Sequence, residues 1–426
     1  LDLLGGAASD YRQKIYHQGF RGGKTAVTLS VLKEFADLCL GFIEHTIRSN
    51  KRADKLYHAY NLMTATGTGV SVAHLAEMLE GQVAVLSSGY LSPAEALEVL
   101  DAMKESPLFR KDQYSYLLYP NKKLPGFLQK NLIPASAAAD SELIRKLVAD
   151  GNRQIVDQDM LGGLHFNGNF RNAADLQRAL DGLASGQYGE LVAKERSLLE
   201  EIFEKVFHHK AFTGRSGTFY AYEGLGSIYW HMVSKLLLAV QECCLQAFAE
   251  DAAPAVTGRL LDHYYEIEAG IGIHKSPSLY GAFPTDPYSH TPGHRGAQQP
   301  GMTGQVKEDI LSRFGELGVS VAEAQLCFSP RLLRKEEFLT EPRAFDYIST
   351  EGKKGQINLH KGELAFTFCQ VPVVYASADR EKITVHFAGG NTEEVAGHCL
   401  PPPLSALIFK RTGKVEWLEV TFPPSD

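Results

Sequence analysis

The sequence predicts a mainly α-helical protein with a β C-terminal domain: helical hairpins stacked in a ring or bundle, followed by a small antiparallel β-sandwich. Three observations carry this. Apolar residues recur at helical spacing from about residue 25 to 250. After Gly318 the pattern breaks into short alternating runs parted by turn residues. At 426 residues the chain is too long for one ordinary core, but it fits a large helical domain (1–318) with a small accessory domain (319–426).

The periodicity predicts helices over 25–47, 69–86, 92–103, 141–150, 173–183, 189–208 and 226–248. Ser92-Pro93-Ala94-Glu95 is a start signal, with a capping serine, a first-turn proline and then an acid. Helices of this length in antiparallel pairs stack as hairpins. Two non-helical stretches interrupt them, 114–134 and 154–172. The second holds Gly162-Gly163 and Asn167-Gly168, which suggest a short β-hairpin. A long loop, 270–304, carries His274, His290, His294 and Arg295 and leads into a helix over 305–317. Strands follow over 325–328, 356–359, 363–368, 371–375, 382–387, 407–409 and 415–422.

A net charge of −7 argues against a nucleic-acid or anionic-membrane partner, because phosphate backbones and headgroups need a basic patch. The most apolar helix carries His231, Lys235, Gln241 and Glu242 and reads as a core helix rather than a membrane span. None of the six cysteines forms a CxxC pair or a Cys/His zinc pattern, and a reduced, cytoplasmic setting is expected. No leader is recognisable. The chain opens without methionine, so it is expected to be part of a longer polypeptide.

Four groups of residues could carry chemistry. Tyr222-Glu223-Gly224 to Trp230-His231 places an acid, aromatic rings and an imidazole at a helix start; the plain alternative is a capping acid and a core histidine. Gly301-Met302-Thr303-Gly304 opens the next helix with a hydroxyl and accessible amides, either an anion site or a simple N-cap. Glu308 and Asp309 are adjacent, do not share a helix face, and are expected to leave one acid in solvent with no catalytic pairing. Asp157 and Asp159 fall on one strand face, as an acid/base pair, a cation site or a turn edge. His290 and His294 have helical zinc spacing, but Pro292 and Gly293 between them exclude the helix, so no metal is expected. Tyrosine and tryptophan in the loops suit the faces of sugars.

The order of these blocks resembles the cellobiose phosphorylase family. Leu1-Asp2-Leu3-Leu4 sits where that family has its acid segment. Glu80 to Gly89, Leu117-Leu118-Tyr119-Pro120 and Pro125-Gly126-Phe127 are similar to its helix and proline blocks. Glu223-Gly224-Leu225-Gly226 with His231, Asp286-Pro287-Tyr288, Thr303-Gly304 and Phe328-Ser329-Pro330-Arg331 follow in the family's order. The chain departs from the family at residues 128–221, which insert a hairpin and helices, and at Leu225 and Gln305.

The resemblance implies an (α/α)6 toroid, whole or cut at its N-terminus, and an inverting glycoside phosphorylase. It needs no cofactor, and inorganic phosphate is its co-substrate. Asp2 would be the general acid and Glu223 part of the catalytic sugar site. Tyr222, Trp230, Asp286 and Tyr288, with Asp157 and Asp159, would contact the oligosaccharide. His231, Thr303 and Gly304 would hold phosphate, and Arg295 could add a bidentate contact. Two alternatives stay open. An inverting hydrolase on the same scaffold would need a carboxylate base, Glu223 or Asp286, with Asp157 or Asp159 behind them. A sugar-binding portion of a larger protein would need no acid at all. A homodimer is a further expectation.

Overall fold

The computed structural model describes residues 2–20, 22–67, 69–121, 126–208, 226–283, 287–301 and 303–423. The chain forms two compact units, 1–51 and 52–426. The first consists of α1 (Asp2–Gln18) and α2 (Leu29–Ser49). The sequence pattern does not foresee α1. The α2 helix begins at Leu29 because the Thr28 side chain accepts from the Val31 amide and caps it. It carries an apolar stripe of Leu32, Phe35, Leu38, Phe42 and Ile43 that the unit itself does not bury.

The second unit opens with a hairpin of β1 (Leu62–Thr66) and β2 (Gly69–Ala73). The helix expected over 69–86 is therefore half strand: alternating Val70 and Val72 pair with β1, and only α3 (Leu79–Leu86) is helical. Next comes α4 (Pro93–Glu105), whose Ser92 and Glu95 form the expected reciprocal cap. β3 (Phe109–Arg110) and β4 (Ser115–Tyr116) follow as a short pair.

A body with its own core then interrupts the chain. It contains α5 (Phe127–Lys130), α6 (Ala135–Asp140), α7 (Glu142–Ala149), β5 (Val156–Gln158), β6 (Leu164–Phe166), α8 (Ala173–Ala184) and α9 (Gly189–Phe207). The hairpin anticipated within 154–172 is β5–β6. Leu143, Ile144, Leu147, Ile155, Leu176, Leu180 and Leu199 are fully buried in this core. Buried Glu195 accepts from the Ser141 hydroxyl and from the amides of Glu142 and Leu143 at 2.8–3.2 Å, closing the exposed start of α7.

The helix expected from 226 begins instead at Trp230. Residues 227–229 are a strand, β7 (Ser227–Tyr229), pairing with β8 (Tyr288–Pro292), which pairs in turn with β9 (Gln298–Pro300). The long loop of the sequence thus contributes two strands and a short helix, α12 (Pro277–Tyr280). The helix α10 (Trp230–Ala249) is mostly buried and is packed by α3, α4, α11 (Pro254–Ala269) and α13 (Thr303–Glu316).

Beyond Gly318 lie the hairpin β10 (Val319–Ala322) and β11 (Gln325–Phe328) and the hairpin β12 (Arg343–Ile348) and β13 (Lys354–Leu359). A five-stranded sheet follows, built from β14 (Leu364–Phe368), β15 (Val371–Ser377), β16 (Lys382–Phe387), β17 (Thr392–Ala396) and β18 (Val415–Phe422). Its order is β14-β15-β18-β16-β17. Two expectations fail here. The β15–β18 pair is parallel, because the chain between them crosses over through β16, β17 and a helix. Residues 407–409 belong to that helix, α14 (Pro402–Phe409), started by proline and burying Leu404 and Ile408 in the same core as Val373, Tyr375 and Leu418. Cys327 and Cys399 are disulfide-bonded, so the expectation of six reduced thiols also fails; Cys39, Cys243, Cys244 and Cys369 are free.

Candidate functional site

The register of the three-stranded sheet brings two helix starts together. Tyr229 lies opposite His290, and Tyr288 opposite Pro300. Both β7 and β9 therefore run toward the Tyr288 end of β8, and α10 and α13 leave the sheet at that one edge. There His231 Nε2 stands 3.4 Å from Glu308 Oε2. On the other side of the ring, Nδ1 is 3.5 Å from the Tyr229 hydroxyl. The Tyr229 ring stacks on His290 with centroids 4.9 Å apart. Hydroxyl, imidazole and carboxylate thus form a loose chain, at separations that a ligand would have to tighten.

The buried side of α13 is polar. Gln305, Glu308, Ser312 and Glu316 recur at helical spacing, and all four are buried. Gln241 of α10 donates to Ser312 O at 2.7 Å and to the Tyr264 hydroxyl at 3.1 Å, and that hydroxyl donates to Glu316 at 2.6 Å. The approach is close: a Cβ on Gly315 would lie 1.9 Å from Gln241 Oε1. Toward the helix start the bonding gives out. Among the described residues, His231 Nε2, Gln305 Oε1, Glu308 Oε2 and Ser312 Oγ are buried without a hydrogen-bond partner. Asp309 is half-buried. Burial pushes its carboxyl up, the Ser234 hydroxyl opposes this, and the Glu308 charge adds to the rise. Neither acid faces open solvent, contrary to the sequence reading.

Trp230 is fully buried, so it is not the sugar platform expected of it. Its Nε1–H donates to Thr291 Oγ1 at 2.8 Å. The Lys275 ammonium lies 4.7 Å from the centre of its ring and donates to Gln113 O at 2.5 Å. Burial pushes the Lys275 amine down to about 8; the nearby Arg110 charge adds to this and Asp112 opposes it.

The remaining expected residues divide. Tyr222, Glu223 and Asp286 lie outside the described residues. Thr303 and Gly304 form the first turn of α13, at the same edge as His231. Tyr288 stays there too, edge-on to Tyr280 at 5.8 Å. Arg295 does not join them: it is exposed in the turn between β8 and β9, at the opposite end of the strands. Asp157 and Asp159 are also misplaced as site residues. Both belong to the hairpin of the inserted body, where Asp159 accepts from the amides of Leu161 and Gly163 and pairs with His165 at 3.0 Å. Those bonds, led by His165, hold the Asp159 carboxyl low and mark a turn residue. Asp2 lies exposed in the first turn of α1, in the other unit.

Glu308 and Tyr229 are the site residues that sequence reasoning missed. The signal for Glu308 was present, since polar residues at 305, 308, 312 and 316 mark one helix face. A groove elsewhere, lined by Lys104, Arg259, Asp262, His263, Tyr265 and Glu266, is charge-paired: Arg259 and His263 bind Asp101, and Lys104 binds Glu266.

A family model described as GH149 phosphorylase insertion domain 2 matches residues 124–210. No curated protein matches the chain. The matched residues are those of the inserted body with its separate core, so the likeness to glycoside phosphorylases lies in this insertion.

Proposed function

We propose that the chain acts as an inverting glycoside phosphorylase, cleaving or forming a glycosidic bond of a β-glucoside or related oligosaccharide with inorganic phosphate. The observation that carries this reading is the meeting of the two helix starts, with His231 of α10 3.4 Å from Glu308 of α13. The insertion-domain match supports the same class of enzyme. The packing of α3, α4, α11 and α13 about α10 supports a helical scaffold, and an (α/α)6 toroid is part of the proposal.

In this reading phosphate sits at the first turn of α13, where Thr303, the Gly304 amide and the helix dipole favour an anion and His231 adds a donor. A phosphate oxygen attacks the anomeric carbon as the glycosidic C–O bond breaks. The leaving oxygen takes its proton from a general acid, the role that the family resemblance gives to Asp2. Glu223, Asp286, Tyr222 and Tyr288 are assigned to the sugar. No second catalytic carboxylate is required, because phosphate is itself the nucleophile.

Incubating the protein with β-linked gluco-oligosaccharides, with and without phosphate, tests this. The expected product is an α-sugar 1-phosphate, formed only with phosphate and lost in D2N. Free reducing sugar at the same rate without phosphate would instead make the protein a hydrolase. Binding of sugar with no turnover would make it a sugar-binding portion of a larger protein.

A further inference from the structure

Glu308 is a buried carboxylate whose side chain is 5% exposed and whose Oε2 accepts no hydrogen bond among the described residues. Such a group is costly to keep, and an apolar residue of similar volume would serve the packing at least as well. Among the described residues, two basic side chains lie within 4 Å of it. Lys307 reaches only the other oxygen, at 3.7 Å, from a side chain 71% exposed. The partner inside the protein is His231 Nε2. Packing also fixes where the carboxylate stands. Three residues after Ser312, Gly315 is wedged against Gln241, whose amide is itself held by Ser312 O and the Tyr264 hydroxyl, so α13 cannot slide along α10.

We infer that Glu308 is a positioning residue for the anion half of the site: it holds the His231 ring through Nε2, so that the Nδ1 edge beside the Tyr229 hydroxyl is presented to phosphate. This rests on the reading of His231 as a phosphate ligand. Contact with the anion at Nδ1 draws the ring toward a form that donates from both nitrogens, and Glu308 is the acceptor waiting on the far side. The free-state separation of 3.4 Å then closes to a hydrogen bond. Carboxylates hydrogen-bonded to metal-bound imidazoles orient those rings by the same logic.

The test uses the full chain and three variants, E308Q, E308D and H231N. Steady-state KM for inorganic phosphate and for the sugar, kcat and the melting temperature are measured for each. H231N is expected to raise the phosphate KM about 100-fold, and E308Q about 10-fold, with the sugar KM unchanged. E308D keeps the charge and should recover part of the loss, which a purely structural role would not produce. If H231N raises the phosphate KM and E308Q leaves it at the wild-type value, the role of Glu308 is refuted while the phosphate reading stands. If H231N itself leaves the phosphate KM unchanged, the phosphate reading fails. Equal losses toward phosphate and sugar in E308Q and E308D, with a lowered melting temperature, would make Glu308 structural and overturn the inference.

Discussion

At the scale of single residues, the ground beneath the site is set by a buried cation. Lys275 lies over the face of Trp230, the residue that precedes His231, and Gln113 accepts from it through O and Oε1. Burial pushes its amine down to about 8 from the ordinary lysine value of 10.5 that the unfolded chain keeps. The unfolded chain therefore holds more protons between these values, and stability rises with pH across that window. Below pH 8 the burial penalty is fully present, on the order of 2 kcal/mol after allowance for residual solvent. Denaturant unfolding of wild type and K275M at pH 7 and pH 10 should show any advantage of the methionine shrinking as pH rises. A difference that is constant across this range would contradict the account. Trp230 also shows what the sequence could not reveal. An aromatic at a helix start suits a sugar or a core equally well, and only the partner Thr291, 61 residues away, decides for the core.

At the scale of elements, close approach of helices governs cost. Ala at Gly315 would drive its Cβ into Gln241, a buried side chain that cannot turn aside without abandoning two hydrogen bonds. G315A is expected to destabilise by about 2–3 kcal/mol, read as a lowered unfolding midpoint. Gly258 of α11 meets nothing within 4 Å, and G258A should stabilise by about 0.5–1 kcal/mol. Reversed signs would contradict the packing described. Glu195 closes α7 in the inserted body. Burial works against its charge, but the Leu143 amide, the Ser141 hydroxyl and the Glu142 amide outweigh it and hold the carboxyl low. Its contribution is therefore present above the ordinary carboxylate range and lost as pH falls through the lowered value. E195A should cost about 2–4 kcal/mol at neutral pH, and less near pH 3. A capped helix such as α4 was legible because capping is local. The strand β7 was not, because its pairing with β8 joins residues about 60 apart and overrides the helical pattern that runs into Ser227.

At the scale of the molecule, the inserted body has a core of its own, and its residues coincide with the matched insertion domain. A fragment spanning 124–210 is expected to unfold cooperatively on its own, as followed by circular dichroism; a non-cooperative melt would show that it depends on the rest of the chain. Binding of the two helix starts to one anion is the claim on which the functional account turns. The sequence indicated His231, Thr303 and Gly304 as a set through their order along the chain. Asp157, Asp159 and Arg295 were grouped with them on chemistry alone, and the register of two separate hairpins carries them elsewhere. The most direct measurement is release of inorganic phosphate from α-glucose 1-phosphate in the presence of a β-linked gluco-oligosaccharide acceptor. The account predicts release with elongation of the acceptor, and a sugar 1-phosphate KM raised about 100-fold in H231N. Release that H231N leaves unchanged, or no release with any such acceptor, would contradict it.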